Sequence, residues 1–181
     1  MSSLSVAEFI AHLSQVLPFS TGKQRRQWAQ EIIENSYSLK KLVVLLNKDA
    51  RTANHFLWLL SDVGVLNKHY LQNFLPWMLT HLKTLPENYR VAMASYWYLV
   101  GVPEENEGEA IDNLFQWLLS NKVNSSIKSR AIWVLVQLSK KHPEIIPEFL
   151  LCLESSVDSH TADFQKRVRK TIALLQSKST H

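Results

Sequence analysis

The sequence predicts an all-α chain, a single domain of stacked helical hairpins. Three observations carry that prediction: apolar residues recur at helical spacing nearly throughout, breakers are few, and the pattern repeats about every 40 residues. Ala53, Phe56, Leu57, Leu60 and Val63 form one apolar stripe, Ile127, Ala131, Val134, Leu135 and Leu138 a second, and Phe164, Val168, Ile172 and Leu175 a third. No stretch shows sustained two-residue alternation with turn glycines, so no strand is expected. Only four glycines and six prolines punctuate 181 residues, which favours long helices joined by short turns.

The punctuation is regular. Turns are expected at Pro18 to Gly22, Asn35 to Ser38, Asn47 to Asp49, Asn67 to Lys68, Leu85 to Pro86 and His142 to Pro143. Ser125 and Asp158 are expected N-caps, because their side-chain oxygens can accept from first-turn amides. The one long loop expected is Val102 to Gly108. Breaks about twenty residues apart imply helices of roughly 12 to 17 residues, paired as hairpins.

Internal similarity then sets the architecture. Asn73-Phe-Leu-Pro-Trp77-Met-Leu-Thr80 aligns with Asn113-Leu-Phe-Gln-Trp117-Leu-Leu-Ser120, forty residues later. Arg51-Thr-Ala53 through Trp58 aligns with Arg90-Val-Ala92 through Trp97, thirty-nine residues on, and Ala131 continues the register. One hairpin cannot hide its own apolar stripe, so stacked neighbours must bury a shared core. The repeats are expected at 38–67, 69–101, 108–142 and 144–177, with residues 1–37 as N-terminal cap helices. A period near 40 with two helices per unit is the signature of HEAT or armadillo arrays.

The chain resembles HEAT-like proteins, above all a family of short bacterial ones of nearly this length. The resemblance rests on Ala29 to Leu46, the helices bearing Trp58, Trp97 and Trp133, the run Phe115-Gln-Trp117-Leu-Leu119, and Lys166-Arg-Val-Arg169. It implies an α-α superhelix of four to five hairpins whose second helices line a concave face. Some such relatives carry an adenylosuccinate lyase label. That enzyme resembles a much longer chain with a serine-rich loop of the type S-S-x-M-P-x-K-x-N-P, and no such segment occurs here.

Composition narrows the function. The single cysteine, Cys152, excludes an internal disulfide and a multi-cysteine zinc site. The segment Met1 to Phe19 lacks the basic head and unbroken apolar run of a signal peptide, and no segment has the apolar length of a membrane helix. These point to a cytoplasmic protein. The net charge of +4 is unevenly spread: Pro103 to Asp112 carries five acids and no base. The rest is a basic body that can attract phosphate or an acidic protein, or simply a solvated surface.

Arginines recur at steps of 39, 40 and 39, at Arg51, Arg90, Arg130 and Arg169, near the expected start of each second helix. Four guanidiniums there can grip carboxylates or phosphates bidentately, or can link neighbouring repeats into a ladder. Trp58, Trp77, Trp97 and Trp117 fall on successive helices and are expected in the core between repeats, although an exposed row could stack on bases. Tyr96, Trp97 and Tyr98 are consecutive and fan around one helix, so Tyr96 or Tyr98 is expected at the surface as a contact. Lys166, Arg167 and Lys170, with Arg169 among them, form the densest basic patch.

Nothing in the sequence supplies a catalytic, cofactor or metal motif. No two histidines sit four apart, Cys152 lies in an apolar helix, and Thr21-Gly-Lys23 lacks the remainder of a phosphate loop. A non-catalytic binding scaffold for a protein partner is therefore the expected function. The alternative is nucleic-acid binding, in the manner of the HEAT-like DNA alkylation repair glycosylases, with Asp62 the one acid inside a tryptophan-bearing second helix.

Overall fold

The computed structural model describes residues 4–156 and 161–178. Those residues form twelve α-helical segments and no strand. The chain divides into two compact units, Met1–Arg90 and Val91–His181. The boundary falls inside the expected 69–101 hairpin. No helix among the described residues is long and apolar enough to cross a membrane.

The first unit contains α1 (Val6–Val16), α2 (Gly22–Glu34), α3 (Leu39–Leu42), α4 (Ala50–Leu66), α5 (Lys68–Gln72), α6 (Leu75–Leu82) and α7 (Glu87–Arg90). Its helix starts are chemically explicit. Ser5 with Glu8 and Thr21 with Gln24 form reciprocal capping boxes on α1 and α2. Asp49 Oδ1 accepts from the Arg51 and Thr52 amides, both at 3.0 Å, and so starts α4. The helices α3, α5, α6 and α7 fall well short of the expected 12 to 17 residues. After α3 the chain tightens into a 3-10 turn, Val43–Asn47. Pro76, the second residue of α6, has no amide to give, and a helix tolerates that only in its first turn, so α6 starts afresh at Leu75 after the turn at Asn73 and Phe74.

In the first unit α4 packs along α2. Ser20 meets His55 and Arg25 meets Trp58 and Asp62, so pairs advance together and the two helices run parallel. Phe9, Leu13, Ile32, Phe56, Leu60 and Val63 are fully buried in the core of this unit.

The second unit contains α8 (Ala92–Val100), α9 (Glu107–Leu119), α10 (Ser125–Leu138), α11 (Ile146–Ser156) and α12 (Ala162–Lys178). The helix α10 packs on both α8 and α12, while α9 packs on α11; α9 also pairs with α10, and α11 with α12. Two layers result, one of α8, α10 and α12 and one of α9 and α11. The pairs Ser95–Arg130 and Tyr98–Trp133 both span 35 residues, so α8 and α10 run parallel. Ser20–His55 in the first unit spans the same 35.

Local expectations are corrected here. The cap of α10 is Asn124, whose Oδ1 accepts from the Ile127 amide at 3.0 Å; Ser125 is already the first helical residue. Asp158 lies outside the described residues. The long loop expected at Val102 to Gly108 is shorter, because Glu104–Asn106 forms a 3-10 turn and α9 begins at Glu107. The tryptophans divide: Trp97 and Trp117 are core residues stacked at 5.9 Å, whereas Trp58 and Trp133 are exposed. Cys152 is a free, buried thiol, pushed up by burial.

Candidate functional site

The most unusual surface of the first unit is one face of α4. At 100° per residue, positions 51, 55, 58, 62 and 65 fall within about 80° of arc. Arg51, His55, Trp58, Asp62 and Val65 all reach solvent, whereas Thr52, Ala53, Phe56, Leu59, Leu60 and Val63, lying between them in sequence, are buried. Trp58 is 52 % exposed and Phe19, at the foot of the stripe, 71 %. Burial of a tryptophan is strongly favourable, so half an indole held in water is a signal for contact.

Cations from α2 complete the surface. The Arg25 guanidinium lies 5.2 Å from the Trp58 ring, and Arg51 lies 4.8 Å over Phe19. These stacks hold both aromatics and arginines in fixed orientations. Asp62 sits between Arg25 Nε at 3.4 Å and Arg26 Nε at 3.8 Å. The Arg25–Asp62 pair is a charge contact without hydrogen-bond alignment, since neither buried atom has a hydrogen-bond partner. Burial raises the Asp62 carboxyl above its ordinary range and outweighs both arginines. Lys23, Arg25, Arg26 and Asp62 line an open cleft of about 630 Å³ beside the stripe.

His55 ties α4 to the turn that precedes α2. Its Nδ1 lies 2.9 Å from Ser20 Oγ, and that hydroxyl donates to the Leu17 carbonyl at 2.7 Å. With the hydroxyl proton so engaged, Nδ1 is assigned the imidazole proton and Nε2 is left as an acceptor. Burial, reinforced by Arg25 and Arg51, pushes His55 below its ordinary range and keeps the ring neutral near pH 7.

The four periodic arginines occupy four different environments. Arg51 is in the first turn of α4 and belongs to the stripe. Arg90 ends α7 rather than opening a helix, and its Nε is buried without a hydrogen-bond partner. Arg130 lies in the second turn of α10 and donates from Nη1 to Ser95 Oγ at 2.5 Å, a link between α8 and α10. Arg169 is exposed at the middle of α12. The sequence step near 40 is constant, but the helix starts shift beneath it. A double-mutant cycle on Arg130→Ala and Ser95→Ala is expected to give a coupling of about 1 kcal/mol in urea denaturation. Zero coupling would reassign Arg130 to the free surface.

Tyr96 is corrected outright. It is fully buried in α8, and burial pushes its phenol far above the ordinary range. Tyr98 is exposed and meets Trp133 edge-on at 5.0 Å. Of the basic patch, Arg167 and Lys170 line a groove of about 460 Å³ with Trp133 and Leu174, and Lys166 is exposed outside that lining. Arg169 lies about 200° around α12 from Arg167, away from the groove.

Two buried charged residues were not anticipated. Lys128 is fully buried in α10, and burial pulls its ammonium below the ordinary range. Glu107 is buried where α9 begins, and accepts from Lys141 Nζ at 2.6 Å and from His142 Nε2 at 2.7 Å. A sequence signal existed only for Glu107, in the acidic run opposite the basic pair Lys141-His142 one hairpin later. Among the described residues no group of three or more His, Cys, Asp or Glu side chains is arranged to hold a metal. Compared with family models, curated proteins and solved structures, the chain matches none of them.

Proposed function

We propose that the chain is a non-catalytic binding scaffold of HEAT-like hairpins that takes a protein partner on the exposed α4 face. One observation carries this reading: the stripe Arg51–His55–Trp58–Asp62–Val65 combines an arginine, a half-exposed indole, a carboxylate and aliphatic carbon on one helix, and Arg25 of α2 lies over that indole. Tryptophan and arginine dominate binding hot spots in protein interfaces, where a polar rim surrounds an aromatic anchor. Exposed Val65 and Leu66 extend the stripe with apolar surface that suits a protein and offers nothing to a phosphate backbone. The two-layer stacking within the second unit supports the repeat-scaffold part of the reading.

A nucleic acid is the second reading, favoured by the Arg25–Trp58 pair, since cations beside a free indole can hold phosphates while the ring stacks on a base. Asp62→Asn separates the two. It removes the carboxylate among Lys23, Arg25 and Arg26, so a polyanion should bind tighter, while a protein that pairs with Asp62 should bind weaker. The experiment is nuclease-treated affinity capture with the parent, Trp58→Ala and Asp62→Asn chains, beside titration of single-stranded and duplex DNA at two salt concentrations. The expected result is one protein kept by the parent and lost with both variants. Salt-sensitive DNA binding strengthened by Asp62→Asn would replace the protein reading with the nucleic-acid one.

A further inference from the structure

The second unit carries an open groove of about 460 Å³ between α10 and α12. Its carbon comes from Ile132, Trp133 and Val136 of α10 and from Leu174 of α12. Trp133 and Leu174 are 41 % and 43 % exposed, so each helix holds a large apolar side chain half in water. From Ala131 to Leu138, Trp133 is the one exposed residue of α10. Tyr98 meets its ring edge-on at 5.0 Å, which holds the indole in place without covering it. Apolar surface held in water at a fixed place is a signal for contact.

The charge of the groove is of one sign. Arg167 and Lys170 line it, and no acid does. All of α10 holds no Asp or Glu, and α12 holds only Asp163. Among the described residues neither Arg167 nor Lys170 gives its cation an ion-pair or hydrogen-bond partner, whereas Arg25 and Lys141 each face a carboxylate. The other polar groups of the lining are partly engaged. Thr171 Oγ1 donates to the Arg167 carbonyl at 3.0 Å, and Gln137 Oε1 accepts from Lys140 Nζ at 2.6 Å, which leaves the Gln137 amide as a donor. The groove therefore offers two cations and a donor to acceptors, and carbon to an apolar side chain.

Spacing narrows the occupant. Positions 167, 170, 171 and 174 share one face of α12. Along the helix axis Lys170 and Leu174 stand about 6 Å apart, and Arg167 and Leu174 about 10 Å. An extended chain covers those distances in two or three residues. In this lining only Trp133 offers a base a stacking plane, whereas Ile132, Val136 and Leu174 suit an aliphatic side chain. From this geometry we infer that the α10–α12 groove is a docking surface for an acidic peptide segment of a partner protein, in which a carboxylate stands two or three residues from a large apolar side chain. Arg167 and Lys170 take the carboxylate, and the apolar side chain lies between Trp133 and Leu174. The inference does not depend on the α4 face, because it uses other residues in another unit.

The test is selection of a phage-displayed library of random peptides, about 12 residues long, on the immobilised whole chain, followed by fluorescence anisotropy with the selected peptides. Selected sequences are expected to place Asp or Glu two or three residues from Leu, Ile, Phe or Trp. Trp133→Ala should weaken their binding by at least about 30-fold, the usual loss for an aromatic anchor. Arg167→Glu and Lys170→Glu should each weaken it by about tenfold. Both residues are exposed on α12, so these variants carry the test if Trp133→Ala does not fold. Trp58→Ala should leave the affinity unchanged, which separates this groove from the α4 face. Selected peptides without the acidic and apolar spacing, or binding lost with Trp58→Ala and indifferent to Arg167→Glu, would overturn the inference. Tighter binding of labelled oligothymidine, lost on the same substitutions, would give the groove to nucleic acid instead. Concentration-dependent sedimentation abolished by Arg167→Glu would give it to a second copy of this chain.

Discussion

Glu107→Ala is expected to lower folding stability by about 2 kcal/mol between pH 5 and 6, with the loss shrinking on either side of that window. Glu107 is 6 % exposed and takes two short hydrogen bonds from cations 34 and 35 residues away, so it ties the start of α9 to the chain leaving α10. Truncation removes both charge-assisted bonds. The cost stays below the full range for a broken buried pair, because Lys141 is 62 % exposed and is resolvated and screened.

The pH window follows from the two groups. Burial pushes the Glu107 carboxyl up, but hydrogen bonds from Lys141 and His142 and their charges outweigh it, and the carboxyl ends below its ordinary range. Its contribution is present above the unfolded value of about 4.3 and is lost as pH falls through the depressed folded one. The hydrogen bond to Glu107 is the main cause that lifts His142, opposed by burial and aided by the charges of Glu107 and Glu144. Its contribution is full below about 6.5 and is lost as pH rises through the raised folded value. Lys141, also raised by Glu107, preserves part of the effect until it titrates in strong base. Urea midpoints of parent, Glu107→Ala and His142→Ala across this range provide the check. His142→Ala should remove the alkaline decline, and a difference independent of pH would sink the assignment.

The same substitution at two tryptophans 39 residues apart is expected to give opposite phenotypes. Trp97→Ala empties a fully enclosed site beside Trp117 and should cost about 3–5 kcal/mol of stability. Trp58→Ala removes a half-exposed ring and should change stability by less than about 1 kcal/mol. Its effect belongs to binding, where truncating an aromatic anchor costs about 2–4 kcal/mol, or about 30- to 1000-fold in affinity. Urea denaturation of both variants, beside capture of the partner, separates the outcomes. Equal destabilisation would show that Trp58 is a packing residue held under Arg25, and would remove the α4 face from consideration.

Much of the fold was legible because it depends on local spacing. The apolar stripes of α4, α10 and α12 appear directly as i, i+3, i+4 patterns, and the turns follow from Pro, Asn and Gly chemistry. Helix lengths in the first unit were less legible. Whether the chain crosses the Asn73–Pro76 step as one helix or two depends on what covers the bend. The arginine period was visible, but a period specifies position along the chain and not direction around a helix. A shift of two residues in a helix start turns a side chain by about 200°.

Taken alone, the sequence determined that this chain is all helical and which residues carry cations and aromatic rings. Tertiary structure alone decided which of those side chains meet water. Tyr96 and Tyr98 sit two residues apart on one helix, and Trp58 and Trp97 fall in segments that align in sequence, yet one of each pair is buried and the other exposed. Glu107 and Lys128 are buried although their type favours solvent, and the cations that engage Glu107 lie a whole hairpin away. The physical reason is the same in each case. Periodicity reports the face on which a side chain stands, whereas burial is set by the neighbour that packs against that face, and that neighbour is chosen only when the helices pack.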